Sequence, residues 1–206
     1  TEESSGTKLL SISGDCALPG IYEYPFGVTI KQILEDCGAV DTQAVQIAGA
    51  AGTTLPVADA ERCIAFEDLS TAGSLMVFNN DRNLLDTVQN FAHFFVHESC
   101  GFCTPCRVGS SLLKDLVDKL VNGHATQHDI DEMRKIGALM RQTSHCGLGS
   151  TAPGSVLDLL DRFPQLIEER LAHSGYEPAF DLDAALQEAR DITGRDDAGA
   201  HIGSDS

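Results

Sequence analysis

The sequence predicts an α+β fold in which a small sheet-rich unit precedes an all-helical one. Up to about residue 79, short alternating or apolar runs are punctuated by Gly and Pro, with a single helical stretch among them. From Asn83 the apolar period lengthens to that of a helix and stays there. The chain has 206 residues and 42% hydrophobic content, enough for one or two compact domains with a real core.

Taken in order, residues 1–6 are a polar tail and residues 7–80 form the first domain. "KLLSISG" alternates Leu9, Ser11 and Ser13 against Leu10 and Ile12, a half-buried strand. "GIYEYPFG" follows "ALPG" as the second arm of a hairpin. "TIKQILEDCG" puts Ile30, Ile33 and Leu34 on one helical face, with Thr29 as N-cap and Gly38 as the stop. "AVQIAG" and "SLMVFN" are further strands, with "CIAF" a short one between them. The order strand, strand, helix, strands resembles a small β-grasp, or ubiquitin-like, unit. "GAAG" followed by "TTLP" lacks the lysine and the following helix of a phosphate-cradling loop, and is read as a β-turn.

Residues 81–174 read as four helices. The first, "NLLDTVQNFAHFFVH", carries Leu84, Leu85, Val88, Phe91, Ala92, Phe95 and Val96 on one stripe, with Asn83 and Asp86 as a capping pair. The second runs from about Val108 to Val121 with Val108, Leu112, Leu116, Val117 and Leu120 inward, stopping near Gly123. The third follows Thr126 and buries Ile130, Met133, Ile136 and Met140. The fourth begins near Pro153 with Val156, Leu157, Leu160, Phe163 and Ile167 inward, and Pro164 kinks or splits it. Residues 175–206 are an acidic C-terminal tail with one short helix at "DLDAALQEARDI" and a disordered end.

The net charge is −17, which disfavours nucleic acid and anionic membrane surfaces as partners. No apolar run is long enough to span a bilayer. "TEESSG" does not read as a signal peptide, and the missing initial Met suggests a processed chain or a piece of a longer one. The seven cysteines include three packed too closely for an extracellular disulfide framework, so a reducing, cytoplasmic setting is expected.

Those three lie in "HESCGFCTPCRVG": Cys100, Cys103 and Cys106, each two residues from the next. A fourth, Cys146, stands in "TSHCGLG". In an up-down four-helix bundle the first and third interhelical loops lie at the same end, so topology alone delivers Cys146 to the other three. Four converging thiolates make a metal site. A C-x-x-C-x-x-C run plus one remote Cys suits a [4Fe–4S] cluster, because one wrapped loop meets three corners of a cubane. Zinc, which more often takes paired C-x-x-C knuckles, stays as the alternative, giving a stapled interaction module without redox role. Gly101 and Gly147 would let the backbone wrap closely. His97 and His145 flank the set as partly exposed polar residues, alternative ligands or outer donors, and Arg107 either offsets cluster charge or pairs on the surface. Cys16, Cys37 and Cys63 have no ligand spacing and read as buried, inert thiols.

"ESCGFCTPCRVG" together with "SHCGLG" resembles the family of flavoprotein, NADH-binding subunits of NADH dehydrogenases. That family includes the diaphorase subunits of NAD-reducing hydrogenases and the β subunits of NAD-dependent formate dehydrogenases, and the "CGLGSTAP" form is nearer to these two than to respiratory complex I. The resemblance spans about residues 7 to 172, with "SISGDCALPGIYEYPFG" similar to the soluble-ligand-binding β-grasp domain. It implies that Cys100, Cys103, Cys106 and Cys146 ligate the iron of one [4Fe–4S] cluster. It also implies that this cluster takes electrons singly from reduced flavin and passes them to iron–sulfur clusters in partner subunits. The family's flavin mononucleotide (FMN) and NAD(H) sites lie on a larger N-terminal module with a glycine-rich loop. No such loop occurs in these residues, so FMN and NAD(H) are expected only on that module, itself a partner, and no residue here is assigned an acid, base or nucleophile role.

Overall fold

The computed structural model describes residues 1–172 and 182–195. The fold is α+β: a five-stranded mixed sheet and several helices. Residues Thr1–Ala172 form one compact unit.

β1 (Thr7–Gly14) and β2 (Gly20–Pro25) are the expected hairpin. α1 (Ile30–Asp36) starts where Thr29 accepts a hydrogen bond from the Gln32 N–H at 3.1 Å and ends before Gly38, whose φ of +65° suits glycine. β3 (Thr42–Ile47), β4 (Thr53–Pro56) and β5 (Ser74–Asn79) complete the sheet in the order β2-β1-β5-β3-β4. β1 and β5 run parallel, and every other neighbouring pair is antiparallel.

Two expectations fail here. "TTLP" is β4 rather than part of a turn, pairing Val45 with Leu55. "CIAF" forms only isolated bridges, Thr29 with Cys63 and Ile64 with Leu69. Its apolar residues fill the core from a loop: Ile64 and Ala65 are buried although the segment joins no strand.

The strand period of two gives the sheet two apolar faces. Leu10, Ile12, Val45, Ile47, Leu75 and Val77 pack with α1 through Ile30, Ile33 and Leu34. Ala44 and Phe78, which alternate with these, join the helical core. That core is made by α2 (Leu84–Glu98), α3 (Thr104–Val121), α4 (Gln127–Thr143), α5 (Gly147–Thr151), α6 (Gly154–Arg162) and α7 (Pro164–Glu168). α2 packs on α3 and α6, and α4 on α3 and α6. Asn83 caps α2 as expected, accepting from the Leu85 N–H and donating to Asp86. α4 opens on a capping box, in which the Thr126 N–H donates to Asp129 at 2.7 Å. Pro164 splits α6 from α7.

α3 differs from expectation in start and in phase. It begins at Thr104, with Pro105 in its first turn, where a missing N–H costs nothing. Its buried stripe is Cys106, Gly109, Ser110, Leu113, Val117 and Leu120. Val108 and Leu112 face outward, 43% and 45% exposed, while Leu116 packs at the edge of the core. Starting the helix four residues earlier moves Cys106 from the loop onto the inward face. No helix among the described residues is long and apolar enough to cross a membrane.

α8 (Leu182–Thr193) is the expected helix in the tail and belongs to a separate unit. The disorder is expected from Gly194 onward, and residues 196–206 of that stretch lie outside the described residues.

Candidate metal centre

Three segments build the cysteine site. α2 ends at Glu98, and the chain then reverses through Ser99, Cys100 and Gly101. Gly101 takes φ +75°, a left-handed conformation that glycine adopts at little cost. The Arg107 guanidinium donates to the Gly101 carbonyl at 2.7 Å and fixes this reversal. Arg107 therefore pairs with the loop itself. Cys103 is the N-cap of α3, and Cys106 lies in its first turn. From the other side α4 ends at Thr143, and Cys146 is the N-cap of the short α5.

The four cysteines predicted from spacing line a single cavity of about 260 Å³, together with Phe102 and Leu148. They differ in exposure: Cys106 is buried, Cys103 is half-buried, and Cys100 and Cys146 are open to solvent. Backbone N–H groups of His145 and Cys106 point at the Cys103 sulfur and hold its thiol below the usual range, aided by the Arg107 charge and opposed by burial. The His145 loop is thus in direct contact with the first cysteine loop. The His145 ring stands edge-on to Phe102, centroids 5.3 Å apart. His97 is turned away, 86% exposed and paired with Glu98 at 3.1 Å.

Two hydroxyls and one glycine in the site were not singled out by sequence. Ser99 Oγ lies 3.4 Å from Cys106 Sγ. Ser144 Oγ is buried without a hydrogen-bond partner. A Cβ on Gly149 would meet Ser144 Oγ at 2.5 Å and Cys106 Cβ at 2.8 Å, so only glycine lets α5 press against α3. Gly147, by contrast, has no protein atom within 4 Å of where a Cβ would stand. The signal for Gly149 was present in "HCGLG", but nothing local distinguishes its two glycines.

These features fit an anionic, sulfur-rich group: thiols around a cavity, N–H groups aimed at sulfur, and an orphaned hydroxyl. Among the described residues, no three His, Cys, Asp or Glu side chains converge as the ligands of one metal ion do. The four cysteines share the lining of the cavity, whose volume of about 260 Å³ leaves room for a multi-atom group.

The other cysteines stand apart. Cys37 is buried, and burial with the neighbouring Cys16 pushes its thiol up to about 11. Cys16 and Cys63 are only half-buried, contrary to expectation, because each lies in an irregular segment joined to its neighbour by an isolated bridge. "GAAG" forms a single 3-10 turn.

Residues 86–170 match the family described as the NADH-ubiquinone oxidoreductase-F iron-sulfur binding region. This stretch of the chain belongs to that family. The iron–sulfur region and the sheet before it also match whole-subunit relatives. The chain is 48% identical over 189 residues to the alpha subunit of the NAD-reducing hydrogenase HoxS of Cupriavidus necator, covering 90% of this chain and 31% of that one. It is 31% identical over 183 residues to an NADH-quinone oxidoreductase subunit of Mycobacterium tuberculosis, covering 84% of this chain and 40% of that one. Among solved structures, an NAD+-reducing [NiFe]-hydrogenase in the H2-reduced state superposes with a TM-score of 0.82 at 43% identity, over 98% of this chain and 36% of that one. The chain spans less than half the length of each of these proteins. The family's cofactor is a [4Fe–4S] cluster, and the relatives are subunits of NAD-linked oxidoreductases.

Proposed function

We propose that this chain is an electron-relay segment of a multi-subunit NAD(H)-linked oxidoreductase, holding one [4Fe–4S] cluster on Cys100, Cys103, Cys106 and Cys146. The observation that carries this reading is the lining of one cavity by all four cysteines. In this reading residues 7–80 are a β-grasp domain and residues 81–174, of which 173 and 174 lie outside the described residues, a four-helix bundle whose helices are α2, α3, α4 and the Pro164-split pair α6 and α7. The ubiquitin-like strand order supports the first assignment, and the packing of α2 on α3 and α6 and of α4 on α3 and α6 supports the second.

Bound, such a cluster takes up and releases one electron at a time. The chain's residues would hold it and set its surroundings. Cys106, buried on α3, would hold the cluster from the protein interior, and Cys100 and Cys146, which are exposed, from the solvent side. The first turn of α3 offers N–H groups to negative charge at the site. Hydride chemistry with NAD(H) needs a flavin pocket to convert a two-electron transfer into single electrons. That pocket, on the flavin/NADH-binding module, and iron–sulfur partner subunits are the expected neighbours along the electron path, in the cytoplasm.

Anaerobic purification tests the reading. Brown protein with four iron and four sulfide per chain, and a paramagnetic resonance signal after chemical reduction, is the expected result. Colourless protein with one tightly held zinc would replace it with a zinc-stapled interaction module.

A further inference from the structure

Ser99 is the last residue before the first cysteine and the C-cap of α2. Its hydroxyl oxygen accepts a hydrogen bond from the Gly101 N–H at 3.3 Å. The same oxygen lies 3.4 Å from Cys106 Sγ, within reach of a sulfur hydrogen bond. A free thiol could act as donor or acceptor in that contact. A ligating sulfur has lost its proton and can only accept. The Gly101 N–H already supplies a donor to the Ser99 oxygen, which leaves the hydroxyl hydrogen free to point at Cys106. The chain thus builds a relay, Gly101 N–H to Ser99 O–H to Cys106 sulfur.

Burial decides whether this contact matters. Cys106 is 5% exposed, so water cannot stand in for the serine. Cys100 and Cys146 are exposed, and solvent can hydrogen-bond their sulfurs whatever the protein supplies. A hydrogen bond to a ligand sulfur is stronger in the state that carries more negative charge, which is the reduced one. Only such a difference between two states moves an equilibrium. Donors to cluster sulfurs are among the levers that set a cluster's potential.

We propose that Ser99 is a positioning residue that raises the reduction potential of the cluster by donating its hydroxyl hydrogen to the Cys106 sulfur. The proposal rests on the cluster assignment made above and deepens it.

The test uses the full 206-residue chain with its cluster, titrated anaerobically and read by paramagnetic resonance. Ser99→Ala should keep full iron and sulfide and shift the midpoint to more negative potential. The expected change is about tenfold in the reduction equilibrium, which is about 59 mV for one electron. Ser99→Thr retains the hydroxyl and should stay near the wild-type value. An unchanged potential in a fully loaded S99A protein overturns the proposal, as does a shift in S99T equal to that in S99A. Should S99A not load, Ser99→Gly removes the hydroxyl without adding bulk and is measured the same way. If neither loads while S99T does, Ser99 serves assembly rather than potential, and the proposal is overturned. Wild-type protein without iron and sulfide would instead overturn the cluster assignment, a result read before any variant is made.

Discussion

The Asp158 carboxylate of α6 accepts a hydrogen bond from the Thr54 backbone N–H of β4 at 2.9 Å, across 104 residues of chain. Burial pushes this carboxyl above the usual carboxylate range, against the pull of the Thr54 N–H and the Arg162 guanidinium. The folded protein therefore binds the Asp158 proton more tightly than the unfolded chain. This site costs stability as pH rises from about 3.8 through the raised value. Asp158→Asn keeps an acceptor for Thr54 and should flatten that part of the stability curve. Asp158→Ala leaves Thr54 without this acceptor and should cost about 1–3 kcal/mol at neutral pH. Urea unfolding of the two variants across pH 4–7 checks both.

Asp118 behaves in the opposite sense. Burial pushes its carboxyl up, but hydrogen bonds from His93, Gln89 and Lys114 outweigh burial and hold it at about 2. Its contribution to stability is present above the unfolded value of 3.8 and is lost as pH falls towards 2. Asp118→Asn should therefore lower stability at neutral pH while leaving it little changed near pH 2. Acid titration followed by far-ultraviolet circular dichroism would show this as a smaller loss of stability between pH 4 and 2 than in wild type.

Gly149→Ala should damage the cysteine site without touching a cysteine. The added methyl meets Ser144 Oγ and Cys106 Cβ well inside contact distance, so α5 must move away from α3. Cys146 caps α5 and moves with it. Iron content below that of wild type, with helicity preserved, is the expected outcome. By contrast, Gly147→Ala adds a Cβ that meets no protein atom within 4 Å and should leave the contact of α5 with α3 and the helicity as in wild type.

Cys146→Ser should lose cluster although position 146 is remote in sequence from the other three ligands. Serine is a harder and poorer ligand for cluster iron. Wild-type iron content together with an unaltered resonance spectrum after reduction would remove Cys146 from the ligand set.

Much of this architecture was legible in the residues, and the misses have physical causes. β4 was hidden because its four residues end in Pro56 and follow Gly52, so turn chemistry masks the strand. "CIAF" looked like a strand because apolar loop residues that plug a core carry the same composition as strand residues. The α3 phase slipped because Pro105 reads as a breaker unless it is placed in the first turn. The cysteines were legible because thiolate ligation demands a rare residue at a fixed spacing. Ser99 and Gly149 were not, because their roles depend on distances to Cys106 that exist only after folding.

Ala44 and Phe78 have a consequence for modularity. Both belong to the sheet, yet they are buried in the helical core, and Arg162 of α6 reaches back to Asp59 at 2.9 Å. Leu84 and Leu85, each 2% exposed, precede the stretch that defines the iron–sulfur region. Cut out at residues 86–170, that region would carry a raw hydrophobic flank where the sheet had been, and would aggregate before it could bind iron. It is therefore not a portable cassette: a fusion or recombination that carries this relay into another enzyme must carry the sheet along with it.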